Sequence, residues 1–215
     1  MDDAALLRAI QADDAEAFGA IFDRHAQAVH RYCARRADDR DHAEDLTSMV
    51  FLEAWRGRRR AVLVDASLRP WLLGIAHNVA RNASRSARRH RAALARLHAA
   101  ACEQPDHAET VAADVDAIAQ RKAIAEAVGA LTKKQRDVVE LCLIDELSTA
   151  AAAAALGIAE GTVKSRLAGA RARLRALLRP GELAALTDPE SASGHEPDER
   201  HPGAPARKAA VSWTR

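Results

Sequence analysis

Apolar residues recur at intervals of three and four along most of this chain, and that spacing is typical of amphipathic α-helices. No long run of alternating β-branched residues interrupts the pattern. Charged or proline-containing turns separate the stripes. The predicted helices before the last pair cover residues 1–12, 14–37, 42–56, 70–97, 118–131 and 133–144. The pattern therefore predicts an all-α fold.

The clearest local pattern lies between Leu147 and Leu178. Ser148 can cap an alanine-rich helix, and Gly157 stands where a helix end favours a positive φ. A second helix is predicted to begin near Thr162. Its apolar stripe comprises Val163, Leu167, Ala170, Leu174 and Leu177. The other faces are basic and polar, which favours a DNA-binding helix-turn-helix over the alternative of a helical hairpin with a solvated basic face.

Charge is unevenly distributed, although the formal net charge of the 215 residues is only +2. Residues 69–96 contain seven arginines and no acid, and residues 161–179 contain six basic residues and no acid. Between them, residues 102–116 carry five acids and no lysine or arginine. This segregation predicts two surfaces that face nucleic acid, joined by a linker.

Other residue types argue against an enzyme or a secreted protein. Cys33, Cys102 and Cys142 lie far apart, which fits a reducing cytosol. His25 and His30 could join Cys33 on one helix, but no fourth ligand has a useful spacing for a metal. No Ser/His/Asp set, phosphate loop, secretory leader or membrane span is recognisable. We therefore expect a cytoplasmic protein with no catalytic site, cofactor, metal or membrane insertion.

Four segments resemble, in order, parts of bacterial sigma factors, especially the small extracytoplasmic-function (ECF) family. AEDLTxxVFLEAW, from Ala43, resembles the helix that docks on the clamp helices of RNA polymerase. WLLGIAHNVARN, from Trp71, is similar to the segment that melts and reads the minus-ten element. LTKKQRDVVELCLIDELS, from Leu131, resembles the stretch before the helix-turn-helix, and GTVKSRL followed by ARARL resembles the DNA-reading helix.

The resemblance implies two small helical domains joined by an acidic linker. Residues 1–98 would form the domain that docks on polymerase and reads and melts the minus-ten element, and residues 99–117 the linker. Residues 118–179 would form a four-helix domain whose helix-turn-helix reads the minus-thirty-five element. Prolines scattered among polar residues over 180–215 predict a mostly disordered tail.

The resemblance also assigns candidate contact residues. Those for polymerase docking are Glu44, Asp45, Leu46, Ser48 and Met49, of which Ser48-Met49 replaces the usual Gln-Glu of the family. Those for minus-ten DNA are His77, Asn78, Arg81, Asn82, Arg85 and Arg88, beside a loop at 57–69 that would capture a flipped base. Those for minus-thirty-five DNA are Thr162, Lys164, Ser165, Arg166, Arg171 and Arg173, with the last two on phosphates.

The implied function is that of an alternative sigma factor, which binds core RNA polymerase, directs it to specific promoters and helps open them. The implied partners are the clamp helices and flap of the polymerase, promoter DNA and an anti-sigma factor, and no homo-oligomer is expected. The alternative is a conventional helix-turn-helix regulator that binds duplex DNA without polymerase. Because alanine fills the first helix of the motif, we expect a small core and modest stability for residues 118–180 alone.

Overall fold

The computed structural model describes residues 1–97 and 115–179, and within them the backbone forms eight α-helices and no β-strand. The all-α prediction is therefore confirmed. The predicted tail lies outside the described residues, as does the predicted linker up to residue 114. The helices are α1 (Asp3–Gln11), α2 (Ala15–Ala34), α3 (Arg40–Gly57), α4 (Arg69–Leu97), α5 (Val115–Gly129), α6 (Lys133–Val139), α7 (Thr149–Leu156) and α8 (Glu160–Leu177).

Aspartates fix the starts of the first three helices. Asp2 accepts a hydrogen bond from the backbone N–H of Ala5, and Asp14 accepts from Glu16 and Ala17. Asp39 accepts from the N–H of His42 at 2.7 Å, so α3 begins at Arg40. Each carboxylate satisfies backbone donors that have no partner inside the helix and lies favourably at the positive end of its dipole.

Helices α1 to α4 form the N-terminal group, whose largely apolar core contains a polar hub at Asp3. Asp3 is 7% exposed and accepts hydrogen bonds from four donors on two segments. These are Arg24 Nη1 at 2.6 Å, His25 Nε2 at 3.1 Å, Ser67 Oγ at 3.1 Å and the Leu68 N–H at 2.7 Å. Asp3 therefore ties α1 to α2 and to the connection that leads into α4.

Helices α5 to α8 form the C-terminal group. A capping box of Thr132 and Gln135 begins α6, as predicted, and a π-turn over Glu140–Ile144 extends it. Ser148 caps α7 by accepting from the Ala151 N–H at 3.0 Å, and Gly157 ends α7 at φ 64°. These two features confirm the turn geometry predicted for the helix-turn-helix.

The apolar stripe of α8 is confirmed except at its end. Val163, Leu167, Ala170 and Leu174 are buried, whereas Leu177 is 50% exposed. Leu178 is buried in its place, four residues after Leu174, and its extended backbone ends the helix.

The two groups pack against each other through α4 and α7. A Cβ added to Gly74 of α4 would lie 2.8 Å from the carbonyl oxygen of Ala155 in α7. Real Cβ atoms essentially never come that close, so the helices meet at a point that only glycine permits. The facing helix contributes the small buried side chains Ala151, Ala152, Ala153 and Ala155.

Candidate nucleic-acid interface

Helix α8 presents a basic surface opposite its buried stripe. Lys164, Ser165, Arg171 and Arg173 are exposed, and Thr162 and Arg166 are half-buried. Because residues three and four apart share a helix face, the exposed side chains form a continuous surface along the helix. The six residues predicted to contact minus-thirty-five DNA are therefore all at least partly exposed to solvent.

Contacts near the start of α8 order part of that surface. Glu160 forms an ion pair with Lys164 at 2.8 Å and accepts a hydrogen bond from Thr149 Oγ1 at 2.7 Å. The bond from Lys164, followed by that from Thr149, holds the pKa of Glu160 below its usual value. Ser165 Oγ donates to the Thr162 carbonyl. The helix therefore begins with its first basic side chain oriented by an acid.

The three arginines of the predicted α8 surface differ from Lys164. Arg166, Arg171 and Arg173 form no ion pair with an acid of residues 1–97 or 115–179. Their guanidinium groups can therefore contact phosphates without first breaking a salt bridge to a described acid. A Cβ at Gly169, also on this helix, would lie 3.3 Å from Gln135 Nε2 of the capping box, a contact that a shift of a few tenths of an ångström would relieve.

Helix α4 carries the second basic surface. Asn78, Asn82 and Arg85 are exposed at i, i+4 and i+7, and Arg88 extends the exposed surface by almost one turn. Amides and guanidiniums are suited to base edges and phosphates respectively. Arg81 belongs to the same predicted set but is only half-exposed, because it lines a cleft of about 260 Å³ between the two groups of helices.

His77 does not lie on the open surface where the sequence placed it. Its ring is 8% exposed, and Nδ1 lies 3.2 Å from Tyr32 Oη and 3.9 Å from the carboxylate of Asp137 in α6. Burial lowers the pKa of His77 below its usual value. Its position in the contact between the groups closes it to DNA in this arrangement.

Hydrogen bonds fix the backbone of the loop that connects α3 to α4. Val64 and Ser67 exchange backbone hydrogen bonds around Asp65 and Ala66, both of which have positive φ. Ser67 and Leu68 are fixed by Asp3, as described above. Val62 remains 56% exposed. An exposed apolar side chain on a braced loop could contact an unpaired base.

Earlier in the same connection, three basic residues form a 3₁₀ turn, Arg58–Arg60. Arg58 lies over the Trp55 ring at 4.1 Å, and Arg58 and Arg59 form ion pairs with Asp13. Hydrogen bonds from Arg59 and then from Arg58 lower the pKa of Asp13. This end of the loop is therefore tied to the end of α1.

The candidate docking surface on α3 needs one correction. Glu44, Asp45, Ser48 and Met49 are exposed, but Leu46 is 2% exposed and packs in the core with Val50. Residues 43, 46, 50 and 54 recur at the spacing of one helix face, and that face is buried. Leu46 therefore cannot contact a partner protein.

Sequence reasoning missed two apolar residues near this surface. Leu52 is 49% exposed and follows Met49 by three residues, on the face opposite the core. Phe22 of α2 is 44% exposed, and its ring centroid lies 4.7 Å from that of Phe51. The signal for Leu52 was present in the sequence, since an apolar residue stands there outside the core stripe.

Comparisons with known proteins agree with this arrangement. The family profile described as sigma-70 region 2 matches residues 21–90, and that described as sigma-70, region 4 matches residues 121–174. The ECF RNA polymerase sigma factor SigL of Mycobacterium tuberculosis is 35% identical over 172 residues, which cover 78% of this chain and 92% of SigL. This chain belongs to the ECF sigma factor family. SigK of Mycolicibacterium vanbaalenii is 33% identical, covering 76% of this chain and 82% of SigK.

Two solved structures are similar to this ECF sigma factor. CnrH, in complex with the cytosolic domain of CnrY, has a TM-score of 0.56 and 26% identity, with 81% of this chain and 96% of that chain covered. RpoE of Bartonella quintana, in complex with the anti-sigma factor NepR, has a TM-score of 0.51 and 26% identity, with 74% and 95% covered. These similarities agree with the helical architecture described above.

The family membership decides between the two functions considered from the sequence. A match to both sigma-70 regions in one chain favours the sigma factor over a conventional regulator. The protein is therefore an alternative sigma factor that directs RNA polymerase to promoters, and such a factor is a transcription initiation factor rather than a classical enzyme. Across residues 1–97 and 115–179, none of the helices is long and apolar enough to cross a membrane.

Proposed function

We propose that the exposed face of α3 holds this sigma factor on the clamp helices of core RNA polymerase. Glu44 and Asp45 supply negative charge, and Met49 and Leu52 supply exposed apolar area one turn further along. Apolar anchors inside a polar rim are the usual composition of an interface core. The C-terminal group would contact the flap.

We propose that the two basic surfaces read the two promoter elements. Lys164, Ser165 and Arg166 of α8 would enter the major groove of the minus-thirty-five element, with Thr162 beside them and Arg171 and Arg173 on phosphates. The exposed face of α4 would follow the minus-ten strand, while the braced loop with Val62 would take up an unpaired base. Stacking of a base on such a site is worth about 1–3 kcal/mol. The observation that carries this proposal is the presence of two exposed basic helix faces on separate groups of one chain.

The C-terminal part of the proposal can be tested by run-off transcription with core polymerase and this protein on genomic fragments. New transcripts that need both components would define promoters, and Lys164→Ala and Arg166→Ala should reduce transcription from them. Lys134→Ala is the matched control, because Lys134 is exposed on α6 and lies outside both predicted DNA surfaces. Equal losses from Lys134→Ala and Lys164→Ala would refute the assignment of α8.

A second experiment tests the docking face. Met49→Asp and Leu52→Asp should weaken binding to core polymerase in a pull-down without DNA, whereas Gln27→Asp, on the exposed side of α2, should not. If the protein shifted specific duplex fragments alone and the α3 variants bound polymerase normally, the docking assignment would be wrong.

We also propose that an anti-sigma factor controls this protein. Two similar sigma factors were solved with such regulators or with a cytosolic domain bound, namely RpoE with NepR and CnrH with CnrY. Copurification of a partner that blocks run-off transcription in the purified system would support this proposal, and transcription unaffected by every copurified partner would oppose it.

A further inference from the structure

The two ends of helix α1 hold the two ends of the loop that connects α3 to α4, residues 61–68. At the end of α1, the side-chain amide of Gln11 donates to the Ala61 carbonyl at 3.2 Å. At the start of α1, the carboxylate of Asp3 accepts from the Leu68 N–H at 2.7 Å. The loop is therefore attached to one helix at both of its ends.

Asp13, just beyond the end of α1, fixes the approach to the loop. Its carboxylate accepts from Arg58 Nε at 2.8 Å and, through the other oxygen, from Arg59 Nη2 at 2.7 Å. Arg58 also lies over the Trp55 ring and donates to the Trp55 carbonyl at 2.7 Å. The φ of Asp13 is 68°, a left-handed conformation that glycine adopts without strain. The turn itself requires no carboxylate, so the charge of Asp13 serves the two arginines.

Helix α1 is itself anchored in the core of the N-terminal group, because Leu6 and Ile10, one turn apart, are fully buried. Asp3 and Gln11 are the first and last residues of this nine-residue helix, so they are separated by about 12 Å along its axis. The chain over residues 61–67 could span about 20 Å if fully extended. It is longer than the distance between its two points of attachment, so its shape depends on those attachments.

The attachments leave the middle of the loop open to a ligand. Val62 is 56% exposed, and the turn that follows it contains two residues with positive φ. We propose that α1 positions this loop for an unpaired base, with Asp3, Gln11 and Asp13 as positioning residues that do not contact DNA. The role in base capture rests on the proposed function of the loop, whereas the attachment to α1 does not. A variant whose loop holds the binding geometry one tenth of the time would lose about 10-fold in apparent affinity.

The attachment is tested by hydrogen exchange of the full chain without DNA, read by mass spectrometry. Asp13→Asn removes the charge but tolerates the left-handed turn, so its melting temperature should match that of the wild type. The amides of residues 61–68 should exchange about 10-fold faster in this variant, and also in Gln11→Ala. Asp14→Asn is the matched control, because this neighbouring aspartate caps α2 and asparagine caps a helix equally well.

Base capture is then measured as binding of the complex with core polymerase to promoters that are premelted across the minus-ten element. An abasic site is placed at each non-template position in turn. At one position it should weaken wild-type binding by roughly 5- to 150-fold, which is the contribution of one stacked base. Asp13→Asn should weaken binding to the intact template up to about 10-fold and leave binding to the template abasic at that position unchanged. A merely structural defect would weaken both equally.

Each outcome bears on one part of the proposal. Unchanged exchange in Asp13→Asn, or an equal change in Asp14→Asn, would overturn the attachment. Faster exchange without any abasic-sensitive position in the wild type would support the attachment and overturn base capture by the loop. If the wild type has such a position but Asp13→Asn loses affinity equally on both templates, the positioning role is wrong. Tighter binding by Asp13→Asn to both templates would also overturn it, because the released arginines would then be acting on phosphates.

Discussion

Replacing Asp3 by asparagine should destabilise the N-terminal group more than any conservative change at its surface. The carboxylate is 7% exposed and accepts from Arg24, His25, Ser67 and the Leu68 N–H. Asparagine keeps one carbonyl oxygen but turns an NH₂ group toward donors, and it leaves Arg24 without its counter-ion. Because the Arg24 side chain is 41% exposed, most of the loss comes from the other donors, and each buried donor left without its acceptor costs about 1–3 kcal/mol. Because one acceptor remains, we expect about 3 kcal/mol.

That loss corresponds to a fall in melting temperature of about 6–12 °C for a chain of this size. Unfolding can be followed by tryptophan fluorescence, since Trp55 and Trp71 both lie in the N-terminal group. Asp2→Asn is the matched control, because Asp2 is exposed and caps α1, and asparagine caps a helix as well as aspartate does. A loss below about 1 kcal/mol for Asp3→Asn, or one equal to that of Asp2→Asn, would refute the reasoning about the hub.

The same hub gives a pH dependence. Burial opposes ionisation of Asp3, but hydrogen bonds from Leu68 and Arg24 and the nearby His25 outweigh it and lower its pKa below 3.8. The ionised form therefore stabilises the fold above that value, and this contribution is lost as the pH falls through the folded pKa. His25 makes stability depend on pH in the same direction. Burial lowers its pKa in the folded protein, so below pH 6.5 the unfolded chain binds a proton more readily than the folded chain does. The free energy of unfolding therefore falls as the pH drops below 6.5.

Three further predictions concern the C-terminal group, each measured by chemical denaturation of the full chain. Gly157→Ala should cost about 1 kcal/mol because φ there is 64°, whereas Gly129→Ala, at a helix end without positive φ, should not destabilise. Thr132→Ala should cost about 1 kcal/mol through loss of the capping box. Leu178→Ala should cost about 2 kcal/mol and Leu177→Ala less than about 0.5 kcal/mol, and the reverse order would mean that Leu177, not Leu178, completes the buried stripe.

Features set by neighbouring residues were predictable from the sequence. The capping box at Thr132, the cap at Ser148 and the positive φ of Gly157 each depend on a few successive residues, and all three are present. The buried stripe of α8 was likewise predicted except at Leu177, which is exposed while Leu178 is buried. The last residue of a helix depends on where its tertiary contacts end, and the spacing of apolar residues along the sequence does not reveal that position.

The candidate sites were predicted less completely, because a family motif does not distinguish contact residues from the side chains that support them. Leu46 lies inside a matching motif yet belongs to the core, while Leu52 lies in the same motif and is exposed. His77 has the helical phase of a half-buried position, and its burial is completed by Asp137, which is distant in sequence. Only the packing of the two groups reveals that contact.

The burial of the alanine-rich helix α7 depends on its partner surface as well as on its composition. Within the C-terminal group alone, alanine offers little apolar area, which led to the expectation of a small core. In the full chain, however, Ala151, Ala152 and Ala155 are buried and α7 packs against α4, where Gly74 lets the backbone of Ala155 approach. Alanine loses no side-chain rotamer entropy when buried, so a contact made by small residues forms without that cost. The same alanines that give the C-terminal group little apolar area of its own therefore suit the packing of α7 against α4.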